Sequence, residues 1–311
     1  GEKMTKAQQK IIQLLKEIKF ICDENNLEFF LTGSYALRSF RSGKFESESP
    51  TLEIGMLYKD IIKLKKVIDE ENQDNRCMES LYSNSKLRAN IFRYVDRDTL
   101  YWRLNNPLKI KENGIAISII PIYSQNVEER FSINKYIYYY WINRKFRKGK
   151  LLKKLPKRIS RKYESLIRIL MLNSLEKLEK HAKLSDNLYY RKNSNLKKVD
   201  LPSNVYLEPQ TVVFEEVECK IPRNYDLYFN TTLGSEWETK KYNSKEINKN
   251  IIIDSEYSYA EYRKALKENS VSGDITKYVK KLNKIRRPLR KYSNFIKSQW
   301  EIVRKSFEDI N

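Results

Sequence analysis

The fold is decided by two short stretches, Leu31-Thr32-Gly33-Ser34-Tyr35-Ala36-Leu37-Arg38 and Thr51-Leu52-Glu53-Ile54-Gly55-Met56. The first predicts a strand that ends in a Gly-Ser turn and opens a short helix, whose N-terminus presents backbone N–H groups and a hydroxyl to a phosphate. The second predicts the next strand, on which alternate residues point to one face. Two alternate carboxylates on such a strand can hold Mg²⁺ against phosphates. Here the strand carries one carboxylate, Glu53.

The sequence on either side predicts an α+β fold with a mixed sheet flanked by helices. Apolar spacing indicates an amphipathic helix over residues 5–25 and a second helix at about 58–70. Strands are predicted near residues 78–83, 86–94 and 99–104, followed by a buried strand over 115–122. A strand-turn-helix segment over 211–239 and a short helix over 257–266 complete the mixed region.

Two further parts of the chain are predicted to be helical and basic. Residues 133–192 lack strand signals and carry helical periodicity, which predicts a helical lobe. From Tyr278 onward, apolar residues at three-and-four spacing between basic residues predict a C-terminal basic amphipathic helix kinked at Pro288. This helix either packs onto its own domain or binds a membrane surface or a partner.

The charge balance favours an anionic partner. The formal net charge is +21, from 61 Lys and Arg against 40 Asp and Glu. An excess of this size attracts nucleic acid, anionic lipid or phosphorylated glycan, although compositional bias toward Lys, Asn, Ile and Tyr is an alternative source. Residues 144–162 contain eleven basic residues and no acid. They form either a solvated helix face or a binding surface for phosphates.

Cysteine usage and hydropathy indicate the cellular compartment. The three cysteines form no CxxC pair, so neither a disulfide framework nor a zinc site is indicated. No run of about 18 apolar residues and no signal-type apolar region is present. We therefore expect a cytoplasmic protein, with peripheral association with a membrane left open.

Three ordered segments, covering roughly residues 8–265, resemble the LicD/fukutin family. Its members have a nucleotidyltransferase-like fold and move phosphocholine or polyol phosphate from a CDP-linked donor onto surface glycans. Residues 20–31 look like the family's opening helix and first strand, followed by its Gly-Gly or Gly-Ser turn at Gly33-Ser34. Residues 53–56 fall on the end of its Asp-Asp-Asp-Ile-Asp strand. The later segments, 114–123 and 214–234, are similar to its Ile-Asp-Ile-Phe-Pro-Leu-Asp strand and its Pro-x-x-Tyr and Tyr-Gly-Asp region.

The resemblance implies a nucleotidyltransferase-like mixed sheet. Together with the helical and basic patterns, it divides the chain into four parts: the core (1–130), the basic helical lobe (131–200), the remainder of the LicD-like region (201–270) and the C-terminal basic helix (271–311). The resemblance also implies a site. The donor phosphates would be bound by Gly33, Ser34 and Arg41, and the nearby cations Arg38 and Lys44 would neutralise phosphate charge. The catalytic positions would be Glu53, Thr51 and Ser118.

The departures from the family motifs concern its acids. Ser49, Pro50 and Thr51 stand where the family has its acidic run, and Ser118 and Tyr123 stand where its later strand has aspartates. Hydroxyls are poor replacements for anionic ligands of a hard divalent cation, so Glu53 alone would bind Mg²⁺ weakly if at all. Compensation by the upstream acids Glu46 and Glu48 would require a rearranged turn.

Other candidate groups are less specific. The lone histidine, His181, is interpreted as a solvated helix residue, which leaves no evident general base. The aromatic cluster at residues 136–141 is either core filler or a choline cage formed by cation–π contacts.

Three functions therefore stay open. The chain is a LicD-type phosphotransferase with an impaired metal site, or a catalytically silent nucleotide- or glycan-binding partner of an active paralogue. The third is a nucleic-acid-binding protein of nucleotidyltransferase type, which the charge permits but no RNA or DNA motif supports.

Overall fold

A computed structural model describes residues 4–45, 50–80, 83, 92–103, 114–124, 132–140, 142, 157–180, 187–192, 197–206, 208–239 and 251–268. The helices are α1 (Lys6–Glu24), α2 (Gly33–Arg41), α3 (Tyr58–Glu71), α4 (Lys157–Lys180), α5 (Tyr225–Leu233) and α6 (Tyr259–Glu268). Residues 132–140 are also helical. The strands are β1 (Phe30–Leu31), β2 (Leu52–Leu57), β3 (Arg76–Glu79), β4 (Phe92–Asp96), β5 (Leu100–Arg103), β6 (Ile115–Ser124), β7 (Asn187–Lys192), β8 (Lys197–Pro202), β9 (Gln210–Phe214), β10 (Val217–Ile221) and β11 (Ile251–Asp254).

A seven-stranded mixed sheet organises the fold. Its strand order is β1-β2-β6-β4-β3, and β7 joins β6 to β8. The β2 and β6 strands run parallel, and the other pairs in this sheet are antiparallel. The remaining strands form two small sheets, β9-β10 and β5-β11. The predicted mixed sheet flanked by helices is thus confirmed.

One face of the sheet is apolar and carries α1 and α3. Leu52, Ile54 and Met56 alternate along β2 and are fully or almost fully buried on this face. The α1 helix begins with a capping box, in which the side chain of Thr5 accepts from the backbone of Gln8 and the Gln8 side chain accepts from Thr5. Its buried residues are Gln8, Ile11, Ile12, Leu14, Leu15, Ile18, Ile21 and Cys22.

An ionic network fastens α1 to the same face of β3 and β4. The Arg76 guanidinium donates to both carboxylate oxygens of Glu17, at 2.7 and 2.9 Å, and lies 3.0 Å from a carboxylate oxygen of Asp96. The Tyr94 hydroxyl donates to Glu17 at 3.1 Å. Because these charges are paired and hydrogen-bonded, the network can be buried without leaving an isolated charge.

The helical lobe predicted over residues 133–192 is wrong at its C-terminal end. Residues 187–192 form β7, which pairs with the end of β6 and with β8. Tyr189 and Tyr190 have high β propensity, and pairing with β6 outweighs the helical pattern read upstream of them. The chain predicted as a separate lobe therefore returns to the main sheet.

Other boundaries differ by a few residues. The α2 helix already begins at Gly33, and β1 contains only two residues. Predictions for residues 46–49, 143–156, His181 and 271–311 lie outside the described residues. Within the ranges that the structure describes, no helix has the length and apolarity needed to cross a bilayer.

Candidate functional site

The Gly33-Ser34 turn forms the first turn of α2 and leaves donors available. Gly33 has φ +52°, and no atom from beyond its chain neighbours and the adjoining helix backbone lies within 4 Å of the position that a Cβ would occupy. Neither the N–H nor the hydroxyl of Ser34 has a hydrogen-bond partner in the described part of the chain. The N-cap residue Thr32 makes no side-chain cap, because its hydroxyl donates instead to the carbonyl of Glu53 at 3.2 Å. The positive end of α2 is therefore open beside the turn.

A buried phenol that the sequence reasoning missed supports this turn. The Gly33 N–H donates to the hydroxyl of Tyr228, on α5, at 3.0 Å. Tyr228 is fully buried, and burial raises its pKa far above the usual range, so the phenol is neutral. The bond spans 195 residues of sequence. No local pattern could have indicated it.

An aromatic cluster fixes α5 against α2. The ring of Phe40, on α2, lies 4.5 Å from that of Tyr225 and 6.4 Å from that of Trp237. The Phe229 ring lies 4.9 Å from that of Trp237. Contacts of this kind add to the burial of the rings. They hold Tyr228 in place beneath the turn.

The parallel pairing of β2 and β6 brings two predicted site residues together. Glu53 and Ser118 are register partners, so their side chains project from the same face of the sheet, opposite the α1 face. On that face Gly55 lets the turn approach the strand, since a Cβ there would lie 2.6 Å from Cγ2 of Thr32. The start of α2 is thus held directly over β2.

The same row of the sheet continues into a buried ion pair. Ser118 is also the register partner of Arg93, on β4, and Arg93 is the register partner of Glu79, on β3. The Arg93 guanidinium donates to Glu79 at 2.8 Å, and Glu79 is fully buried. A cation therefore lies next to Ser118 in the sheet. The sequence did not indicate Arg93 as a site residue, because the register of β4 against β6 cannot be read from it.

Glu53 is the one carboxylate of this row without a cationic partner in the described residues. Glu53 is exposed as a whole residue, yet the protein atoms around it desolvate the carboxylate and raise its pKa. No group of three His, Cys, Asp or Glu side chains within the described ranges could hold a metal ion. Glu53 and neutral hydroxyls alone do not form a strong Mg²⁺ site.

The Thr51 hydroxyl is engaged with a neighbouring phenol. It lies 2.6 Å from the hydroxyl of Tyr35, in the first turns of α2. Burial, opposed by this hydrogen bond, raises the pKa of Tyr35 to about 12. Tyr35 also lies under the Arg38 guanidinium, whose carbon is 5.3 Å from the ring centre. Thr51 therefore links β2 to α2.

The predicted basic residues differ in their surroundings. Arg38 is buried, and its guanidinium lies over the ring of Tyr35 on the same helix. Arg41 lies at the far end of α2 and donates through Nη2 to the carbonyls of Trp237 and Glu238, at 2.5 and 2.6 Å. Lys44 is exposed beyond the end of the helix. Eight residues of helix separate Gly33 from Arg41, which is about 12 Å, so Arg41 fastens the segment after α5.

The aromatic cluster at residues 136–141 divides between core and surface. Tyr136 is buried in the core, and its ring stacks at 6.4 Å on that of Tyr140. Tyr138 is 63% exposed. Trp141 lies outside the described residues. Tyr136 therefore fits the core-filling alternative.

No protein-family model matches this chain, and no curated protein matches it either.

Proposed function

We propose that this chain is a LicD-like protein that binds the phosphates of a nucleotide or CDP-linked donor at the N-terminus of α2, without a tightly bound metal ion. Its role is that of a catalytically silent binding or regulatory partner in phosphate decoration of surface polysaccharide. The observation that carries this proposal is the register pair Glu53 and Ser118, where one carboxylate and one hydroxyl face each other.

Phosphate binding is supported by the donors at the start of α2. The N–H and hydroxyl of Ser34 and the positive end of the helix dipole suit an anion. Gly33 leaves open space on its side-chain face, so a phosphate can approach the backbone closely.

Catalytic silence is supported by the state of the three acid positions. Glu53 carries a carboxylate with a raised pKa, Ser118 is neutral and adjoins Arg93, and Thr51 is bonded to Tyr35. Mg²⁺ favours several anionic oxygen ligands in near-octahedral geometry. Without them, phosphoryl transfer loses the metal that neutralises developing charge.

A second candidate is slow phosphotransfer, and one observation favours it. Desolvation raises the pKa of Glu53, which makes its carboxylate a stronger base toward an acceptor hydroxyl. This activity would require the donor's own phosphates to supply most ligands of the metal ion. Release of CMP from CDP-choline, dependent on Mg²⁺ and lost in Glu53→Gln, would establish this candidate.

The binding test uses titration calorimetry with CDP-choline and CTP on the wild type and on Ser34→Asp. An aspartate at a helix N-terminus stabilises the helix by about 0.3–1 kcal/mol, so the variant should fold. We expect its affinity to fall at least tenfold, because the new carboxylate occupies and repels the phosphate position. Gln9→Asp is the matched control, since it adds the same charge to an exposed position in the first turns of α1. The proposal fails if the wild type binds neither ligand or if Ser34→Asp binds like the wild type.

A further inference from the structure

The solvent-facing side of α4 carries large apolar side chains. Ile159, Leu166 and Ile169 are 51%, 53% and 52% exposed. At about 100° per residue they lie within about 80° of one another, along about 15 Å of helix. The opposite side of α4 is buried in the core through Ile167, Met171, Leu175 and Leu178. A globular helix normally has polar residues on its solvent side, so this apolar stripe requires an explanation.

Basic residues flank the stripe. Arg158, Arg161 and Lys162 are exposed, and none of them has an ion-pair partner among the residues that the structure describes. The first turn of α4 contains no acidic residue. Cations near a helix N-terminus oppose the helix dipole, so helix stability does not account for their placement. At about 100° per residue, Lys162 lies within the stripe and Arg158 about 20° beyond it, whereas Arg161 lies about 80° beyond it. An anionic surface lying against this side would therefore pair with Arg158 and Lys162.

We propose that Ile159, Leu166 and Ile169, together with Arg158 and Lys162, form a docking surface for an anionic lipid bilayer. We call this set the lipid-facing stripe. It is separate from the α2 site and does not depend on the function proposed for that site. The three apolar side chains enter the interface between headgroups and acyl chains, while the cations contact the anionic headgroups.

The size of the lipid-facing stripe favours a bilayer over a folded protein partner. A patch about 15 Å long and one helix, about 10 Å, wide covers about 150 Å². A stable protein interface buries about 800 Å² on each partner. Peripheral membrane binding, in contrast, can be achieved by a few inserted apolar side chains combined with a few cations.

The test is sedimentation of the full chain with vesicles of phosphatidylcholine and phosphatidylglycerol in a 3:1 ratio, against pure phosphatidylcholine. We expect the wild type to bind the anionic vesicles and to lose binding as salt rises. The double variant Leu166→Gln/Ile169→Gln keeps every charge and should lower the partition coefficient at least tenfold. Lys162→Gln should lower it about fivefold.

The matched control is Phe20→Gln/Val213→Gln. It removes two apolar side chains that are 67% and 58% exposed on α1 and β9. Because all four positions are exposed, both double variants should unfold at the wild-type temperature. The control should bind vesicles like the wild type, which separates the lipid-facing stripe from exposed apolar surface in general.

A second measurement tests directly whether the side chain at position 166 enters the bilayer. An environment-sensitive fluorophore on Leu166→Cys should shift to the blue on addition of anionic vesicles, and the same fluorophore on Val213→Cys should not.

Three results would overturn the proposal: no binding of the wild type to anionic vesicles, equal binding of the stripe variant and the wild type, or equal spectra at the two labelled positions. Self-association of the wild type that the stripe variant abolishes, without vesicle binding, would instead assign this surface to a second copy of the chain.

Discussion

Replacing Tyr228 by phenylalanine tests whether a buried phenol holds the Gly33 turn. The Tyr228 hydroxyl accepts from the Gly33 N–H at 3.0 Å, and Tyr228 is fully buried. Phenylalanine keeps the ring and its edge contacts with Tyr206 and Phe229, at 6.3 and 5.6 Å. A buried donor left without a partner costs about 1–3 kcal/mol. Because Gly33 is only half-buried, water recovers part of this cost, and we expect a loss of about 1–2 kcal/mol.

The assay is urea unfolding, with the free energy of unfolding taken by linear extrapolation. Tyr136→Phe is the matched control. The Tyr136 hydroxyl is buried and has no hydrogen-bond partner in the part of the chain that the structure describes. Its removal should leave the free energy of unfolding unchanged or slightly raised, because no donor or acceptor loses a partner.

The comparison between the two variants decides the outcome. A loss confined to Tyr228→Phe supports the role of the phenol beneath the turn. If Tyr228→Phe is as stable as the wild type, or if both variants lose the same free energy, the turn does not depend on this hydrogen bond.

Three further predictions concern the frame of the site. Gly55→Ala should lower the free energy of unfolding by about 1–3 kcal/mol, because its Cβ would lie 2.6 Å from Cγ2 of Thr32; an unchanged thermal midpoint would contradict this packing. Burial alone would raise the pKa of Glu17, but the hydrogen bond and the charge interaction with Arg76 lower this pKa below 4.5. The wild type should therefore lose stability as the pH falls through that lowered pKa. Glu17→Gln should cost about 2–3 kcal/mol at pH 7 in urea unfolding and show a smaller acid dependence; an identical pH profile would exclude this contribution. Ser118→Asp should create Mg²⁺ binding measurable by calorimetry, because the register puts the new carboxylate beside an existing one; undetectable binding would mean that the site lacks further ligands.

The parts of the fold that the sequence predicts well are those with a local pattern. The apolar spacing of α1 and the alternation along β2 each require only neighbouring residues, and both elements form nearly where they are predicted. The turn at Gly33 can be predicted for the same reason, because a Gly-Ser pair directly after a strand favours a turn. The juxtaposition of Glu53 and Ser118 comes from the register of β2 with β6, which neither strand's own residues reveal.

The parts that were missed depend on pairing between distant segments. Arg93 reaches the site face because β4 pairs with β6 in one register, and a shift by one residue would turn it to the α1 face. Tyr228 reaches Gly33 only through the packing of α5 on α2. β7 was predicted to be helical because its pairing with β6 cannot be read from its own residues.

Phosphate binding without a metal ion is tested most directly by the affinity for CDP-choline, measured by calorimetry in excess EDTA and again in excess Mg²⁺. We expect the same dissociation constant in both buffers, because the donors at the start of α2 bind the phosphates and Glu53 alone does not hold the metal ion. Binding that is at least tenfold tighter with Mg²⁺ would contradict this expectation and would identify a functional metal site.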